Sequence, residues 1–132
     1  MSSRNLLEPF EPLLNKKVFA HLSTIMPNGS PQVSPVWLSF DSGLIWINTA
    51  VGRQKDRNMK RDPRVALSIL DPDNPYFRLL VRGEVTEWTI EGAVAHINAL
   101  AKKYMGTPKY QNLSPSEQRI IYKIKPHKVT GS

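Results

Sequence analysis

Short runs of alternating apolar and polar residues fill most of this chain, and turn-forming residues separate them. Val18 to Ile25 has the period of a strand. It meets Pro27-Asn28-Gly29, where Asn-Gly tolerates the positive φ of a tight hairpin. Gln32 to Phe40 is the expected return strand, and Asp41-Ser42-Gly43 turns the chain into Leu44 to Thr49. Strands joined so tightly form an antiparallel meander, because a parallel crossover needs about a dozen residues or more.

Beyond Thr49 the pattern changes. Arg53 to Lys60 suits a short helix, ended by Asp62-Pro63, since the residue before a proline avoids helical geometry. Val65 to Leu70 is a further strand, Asp71 to Pro75 a loop, and Leu79 to Trp88 a long strand with Gly83 marking a bend. Ile90, Val94, Ile97, Ala101 and Tyr104 recur at helical spacing and predict the principal helix, about Ile90 to Tyr104. Ser114 and Glu117 have the spacing of a capping box and predict another turn of helix. Ile120 to Lys125 is the last strand, and Leu6 to Leu14 a short opening helix. The fold expected is mainly β, a six-stranded antiparallel barrel, closed or nearly closed, with one main helix and short flanking helices.

The length of 132 residues suits one domain spanning 1–132. No apolar run approaches the ~20 residues of a membrane span, and Met1–Asn5 lacks the apolar stretch of a secretory signal. The absence of cysteine excludes disulfides and thiolate metal sites and fits a reducing cytoplasm. His21, His96 and His127 share no short metal-ligand spacing, so no metal is expected.

The net charge of +7 is concentrated in one place: six cations and two carboxylates lie between Gly52 and Arg64. Such a run is often just a solvated helix face. Its position between two strands, after Thr49-Ala50-Val51-Gly52, favours a fixed anion site in which Arg53, Lys55 and the first helical amides share one phosphate. Pro31 and Pro35 withhold ladder donors, so Gln32 to Val36 is either a plain edge strand or one whose free groups, with Ser34, face a planar ligand. Trp37, Trp46 and Trp88 suit a core or a subunit interface. No nucleophile elbow, P-loop or dinucleotide fingerprint occurs, so any redox chemistry would come from a cofactor.

Taken together, Leu22–Ile25 through Asn28–Gln32 and Ser34–Trp37, Arg53–Asn58 leading to Arg61–Val65, and the strand Val81–Val85 resemble a known family. It is the flavin-binding split barrel of the pyridoxamine phosphate oxidase-like superfamily, and within it the short deazaflavin (F420)-dependent reductases. Ile124–Val129 resembles the family's closing strand. The resemblance implies a homodimer with its cofactor, F420 or alternatively FMN, at the subunit interface. On that analogy Gln32, Val33, Ser34, Pro35 and Val36 flank the ring, Thr49 and Ala50 line the middle of the cofactor, and Arg53, Lys55 and Asn58 hold its phosphate region. Arg82 and Trp88 would approach from the partner subunit. The implied activity is hydride transfer to a small conjugated or quinone-like molecule. A non-catalytic cofactor carrier and, more remotely, a nucleic-acid-binding barrel are the competing expectations. The chain is short and has no recognisable segment for a substrate phosphate, which argues against vitamin B6 oxidation.

Overall fold

The computed structural model describes residues 6–131; Met1–Asn5, inspected above for a signal, lies outside the described residues. A 3-10 turn (Glu8–Phe10) leads into α1 (Glu11–Leu14), followed by β1 (Phe19–Ile25), β2 (Pro31–Val36), β3 (Ser39–Asp41) and β4 (Leu44–Ala50). Then come α2 (Gln54–Arg61), β5 (Arg64–Asp71), β6 (Asn74–Thr89), α3 (Ala93–Met105) and β7 (Arg119–Gly131). All strand pairs are antiparallel, in one sheet of order β2-β1-β5-β6-β7-β4-β3.

That order forces the shape. β2 and β3 occupy opposite edges of the sheet, yet only Trp37 and Leu38 separate them in sequence. The edges of a flat seven-stranded sheet would lie about 29 Å apart at ~4.8 Å per strand. The linking residues reach only about 10 Å. The sheet therefore curls until its edges nearly meet, and the result is a split barrel. The run Gln32 to Phe40, expected as one strand, is broken at this point, so the sheet has seven strands instead of six.

Helix α3 closes the seam. The Leu38 backbone N–H donates to Tyr104 Oη at 3.3 Å, and Lys103 Nζ donates to the Leu38 carbonyl at 2.9 Å. The same ammonium reaches the carbonyl of Leu14 at 2.8 Å, tying α1 to the seam. Burial pushes the Lys103 pKa down to about 8. Backbone groups that a complete barrel would satisfy by strand pairing are satisfied here by two side chains of one helix.

The core fills the barrel with Leu22, Ile45, Ile47, Ile69, Leu79, Tyr122 and Ile124, each fully buried. Helix α3 starts at Ala93, after Gly92 in the left-handed region, and buries Ala93, Ile97, Leu100 and Ala101. Ile90 and Val94, expected on its inner face, are exposed. The last two long strands run further than their apolar patterns indicate, with irregularities in register at Arg82/Gly83 and Val85/Glu87. Ser114–Glu117 forms a turn, not a helix: Glu117 N–H donates to the Ser114 carbonyl at 3.0 Å. Among the described residues no helix is long and apolar enough to cross a membrane.

Candidate functional site

A cavity of about 500 Å³ lies beside the seam, under the C-terminal half of α3. The β1 and β2 ends (Phe19–His21 and Pro35–Trp37), Asn48 and Thr49 of β4, the start of α2, and the segment 107–112 complete its walls. Its volume is in the range that encloses a small organic ligand, roughly 300–1,000 Å³.

One wall is aromatic. Trp37 stacks on Tyr104 with centroids 5.1 Å apart and planes 6° from parallel, and Tyr110 meets the same indole edge-on at 6.0 Å. The adjoining wall is cationic. Arg53, Lys55 and Arg119 line the cavity, and among the described residues no carboxylate side chain does. The buried Arg119 guanidinium is fixed on three sides: Nε donates to Asn48 Oδ1 at 2.8 Å, an NH2 group donates to Glu117 Oε2 at 2.8 Å, and Tyr110 stacks over it at 5.3 Å. Asn48 is held in turn by the Ala93 carbonyl at 2.8 Å and by His96 Nδ1 at 3.1 Å. With Nδ1 accepting, His96 carries its proton on Nε2 and donates to Ser39 Oγ at 2.9 Å. Burial lowers the His96 pKa to about 4, so the imidazole is neutral.

Lys55 differs from its neighbours. It is half-buried and has no hydrogen-bond or ion-pair partner among the described residues. Burial, then the charges of Arg53 and Arg119, lower its pKa. A cation held away from water among like charges is costly in an isolated protein, and an anionic ligand removes that cost. In the same cavity Thr49 Oγ1 is buried without a hydrogen-bond partner. Buried hydroxyls are ordinarily paired, so this one marks a place for a polar atom from elsewhere.

The loop into α2 explains how Lys55 is aimed. Gly52 sits at φ +97°, a conformation that disfavours side chains, and open space surrounds the position a Cβ would take. Glycine is thus favoured here by backbone shape, since no protein atom crowds the position. Its N–H donates to Asp56 Oδ2 at 2.9 Å, and Arg57 donates to its carbonyl. Asp56 also accepts from Tyr122 Oη at 2.5 Å and pairs with Lys60 at 3.2 Å. Burial pushes the Asp56 pKa up, but these donors outweigh it and hold the carboxyl below its ordinary value. Burial, and after it the same carboxylate, push the Tyr122 pKa up.

The anticipated residues divide into groups. Pro35, Val36, Thr49, Arg53 and Lys55 line the cavity together. Ala50 is buried next to Thr49. Asn58 is fully buried and used internally: its Nδ2 donates to Thr24 Oγ1 at 3.0 Å, and its Oδ1 accepts from Gln54 and Arg61. It braces α2 against β1 and lies outside the cavity lining, so it supports the cationic wall instead of extending it. Gln32 shares that brace through a 2.9 Å contact with Thr24 Oγ1, and Ser34 Oγ is buried and unpartnered. Val33 and Arg82 lie on the outer face of the sheet, and Trp88 packs against Tyr122 at 5.9 Å; none of the three lines the cavity. Sequence reasoning missed Arg119, Asn48, Tyr104 and Tyr110. Arg119 is separated from Lys55 by most of the second half of the chain, and nothing in its local sequence marks it.

The outer face carries a second feature. Two rows cross strands β2-β1-β5-β6-β7, one of Val33, Ser23, Ala66, Arg82 and Lys128, the other of Pro35, His21, Ser68, Leu80 and Thr130. His21 and Ser23 of β1 and the small Ala66 and Ser68 of β5 make the floor of a trough between β2 and β6. Its apolar walls are open, with Val33 61% and Leu80 42% exposed, and Phe19 nearby is 64% exposed.

The profile of the family described as pyridoxamine 5'-phosphate oxidase matches residues 6–132. A solved structure described as an F420 reductase is 34% identical, with 91% of this chain and 94% of that chain covered and a TM-score of 0.81. A conserved hypothetical protein from Mycobacterium tuberculosis shares the fold at 24% identity, with 99% and 84% covered and a TM-score of 0.75. HupZ of Group A Streptococcus shares it at 16% identity, with 99% and 94% covered and a TM-score of 0.65.

Proposed function

The chain belongs to the pyridoxamine 5'-phosphate oxidase family, and on that footing we propose that it is an oxidoreductase that binds a flavin-type cofactor, F420, in the cavity beside the barrel seam. The observation that carries the reading is that the half-buried Lys55, without a partner among the described residues, and the unpartnered hydroxyl of Thr49 line the same cavity. A phosphate fits that pair, with Arg53 adding a second charged donor.

In this reading Arg53 and Lys55 hold the phosphate region, Thr49 faces the middle of the cofactor with Ala50 buried next to it in the chain, and Pro35 and Val36, the part of Gln32 to Val36 that lines the cavity, flank its ring. Asn58 contributes by fixing α2. A bound deazaflavin supplies hydride as a two-electron unit, and a small conjugated or quinone-like molecule is the acceptor. Trp37, Tyr104 and Tyr110 exclude water and offer flat apolar faces against which a planar group can be oriented. The neutral His96 is committed to Ser39 and Asn48, so its part is to orient Asn48 and, through it, Arg119.

F420 is favoured over FMN by the likeness to the F420 reductase. The surplus of cations around α2 also suits a cofactor with carboxylates in addition to a phosphodiester. FMN is the second reading, since a phosphate monoester suits Lys55 and Arg53 as well. The exposed trough across β2-β1-β5-β6-β7 is the face we assign to a second copy of the chain, with Arg82 presented across the interface. The whole of 1–132 acts as one domain in this scheme, and a cysteine-free chain suits the cytoplasm.

Fluorescence titration with F420 and, in parallel, with FMN tests the assignment. Binding of F420 with turnover of quinone-like acceptors supports it. Binding of FMN alone moves the protein to the second reading, binding without turnover makes it a carrier, and binding of neither overturns the cofactor site. Sedimentation equilibrium reads the dimer directly.

A further inference from the structure

Glu117 stands just behind the cationic wall and binds two of its three members. It accepts from Arg53 at 2.9 Å and from Arg119 at 2.8 Å. Its side chain is only 15% exposed, whereas that of Arg53 is 51% exposed. Burial pushes the Glu117 pKa up, but Arg119 and Arg53 prevail and keep the carboxylate ionised. The segment carrying it enters the site from the far end of the chain and is anchored beside it, where Val51 N–H donates to the Gln118 carbonyl at 2.8 Å.

Three cations and one shared carboxylate leave an excess of two positive charges at this wall. Arg119 has other partners in Asn48 and Tyr110, so losing Glu117 would not release it. Arg53 has no other ion-pair partner among the described residues. Any anion that recruits Arg53 must therefore take it from Glu117 or share it.

We propose that Glu117 is a built-in counter-ion that competes with the ligand's negative charge for Arg53, and so sets how much negative charge the site accepts. The inference rests on the reading of this wall as an anion site. Glu117 makes the resting protein tolerate a cluster of cations, and it penalises weak monoanions. A ligand bringing two negative charges, whether a phosphate monoester or a phosphodiester with a carboxylate, displaces it from Arg53. The chemistry is the same in either case: a dianion on a lysine and a released guanidinium.

The test is calorimetric titration of wild type and Glu117→Gln with inorganic pyrophosphate, with F420 and with FMN. Gln keeps the size of the side chain and removes its charge. Competition predicts that pyrophosphate binds Glu117→Gln about tenfold more tightly, the effect of deleting one nearby charge at an effective dielectric between that of protein surface and water. The salt dependence of binding should steepen as well. In an Arg53→Gln background the gain should vanish, which ties it to Arg53 and not to a general change in potential. Equal or weaker binding of pyrophosphate by Glu117→Gln, or no binding by either protein, overturns the proposal. The use of F420 and FMN alongside keeps the two ideas separate. If neither cofactor binds wild type but pyrophosphate binding tightens in the variant, the cofactor reading fails and the counter-ion role stands. If a cofactor binds wild type and the variant gains nothing for any of the three ligands, the reverse holds. A urea melt of Glu117→Gln checks that the loss of two ion pairs leaves the protein folded. Should it unfold, Glu117→Asp, which shortens the carboxylate's reach to Arg53, must also tighten pyrophosphate binding or the proposal fails.

Discussion

Replacing Lys55 by Met should move stability and binding in opposite directions. Met keeps an unbranched apolar stem of similar length, so packing along the cavity wall is retained. What disappears is a half-buried charge with Arg53 and Arg119 as its neighbours and no acid as partner. Each like-charge contact near a surface costs a few tenths of a kcal/mol, and partial burial adds to it. Because water still screens the half-exposed head, we expect a gain of about 0.5–1 kcal/mol in the ligand-free protein. For a chain of this length that raises the melting temperature by roughly 2–4 °C. The gain should shrink as salt is added. Binding should go the other way. A hydrogen bond to a charged group is worth about 1.5–3 kcal/mol, which corresponds to a roughly 10- to 150-fold weaker cofactor affinity. Differential scanning fluorimetry at two salt concentrations and fluorescence titration of the cofactor read the two quantities. A variant that melts lower and binds as tightly as wild type would refute the reasoning, because Lys55 would then be a packing residue.

Four other perturbations probe the supports of the site and the sheet that carries it. Asp56→Asn leaves the Gly52 N–H, Tyr122 Oη and Lys60 with a poorer acceptor at a buried position; a loss of about 2–4 kcal/mol is expected in urea denaturation, and a loss below about 1 kcal/mol would contradict the assignment. His96 should not titrate in its usual range. Its pKa falls from 6.5 to about 4 in the folded protein, so stability is complete above 6.5 and is lost as pH falls from there through 4. The full gap gives an upper limit of about 3.4 kcal/mol, and solvent screening of a part-exposed ring reduces it to roughly half. An imidazole NMR resonance with its midpoint near 6.5 would disprove the buried neutral state. Gly83→Ala should cost about 1–3 kcal/mol, because a Cβ there collides with the Lys125 backbone carbonyl. Gly29→Ala meets open space and should lose only about 1 kcal/mol through its φ of +89°.

Most of the sheet was legible in the chain because half-buried antiparallel strands alternate, and Asn28-Gly29 declares its own hairpin. Gly29 N–H donates to the Met26 carbonyl at 2.8 Å, and Asn28 Oδ1 accepts from Ser30 N–H at 3.0 Å. The break at Trp37-Leu38 was not legible. Alternation says which face a residue takes but not which strand it pairs with, and here the chain changes edges without losing its period. Ser114 and Glu117 misled for another reason. The capping-box spacing is present, yet Ser114 Oγ serves Ser116 N–H at 3.3 Å and Glu117 is taken by two arginines. The closing strand runs past Lys125 because β6 accommodates Pro126 opposite Gly83, where the register shifts. In the site, the charge run located Arg53 and Lys55 by composition alone. Arg119 joins them only because β7 pairs with β4, Arg119 opposite Ala50, and that is a property of topology.

The placing of the cavity follows from the same topology. A sheet whose two edges approach without pairing leaves backbone groups exposed along a seam, and those must be satisfied by something other than a strand. At Leu38 this fold satisfies them from within, with Lys103 and Tyr104 of α3. On the α2 side two side-chain groups, the Thr49 hydroxyl and the Lys55 ammonium, have no partner among the described residues. Two stretches of one seam are thus treated differently, one closed for stability and one left with unmatched polar groups facing a cavity. The closed stretch makes the open one usable, since α3 both pins Leu38 and provides Tyr104 as the cavity's aromatic wall. A change that loosens Lys103 should therefore reach the cavity through Tyr104, even though Lys103 itself does not line it.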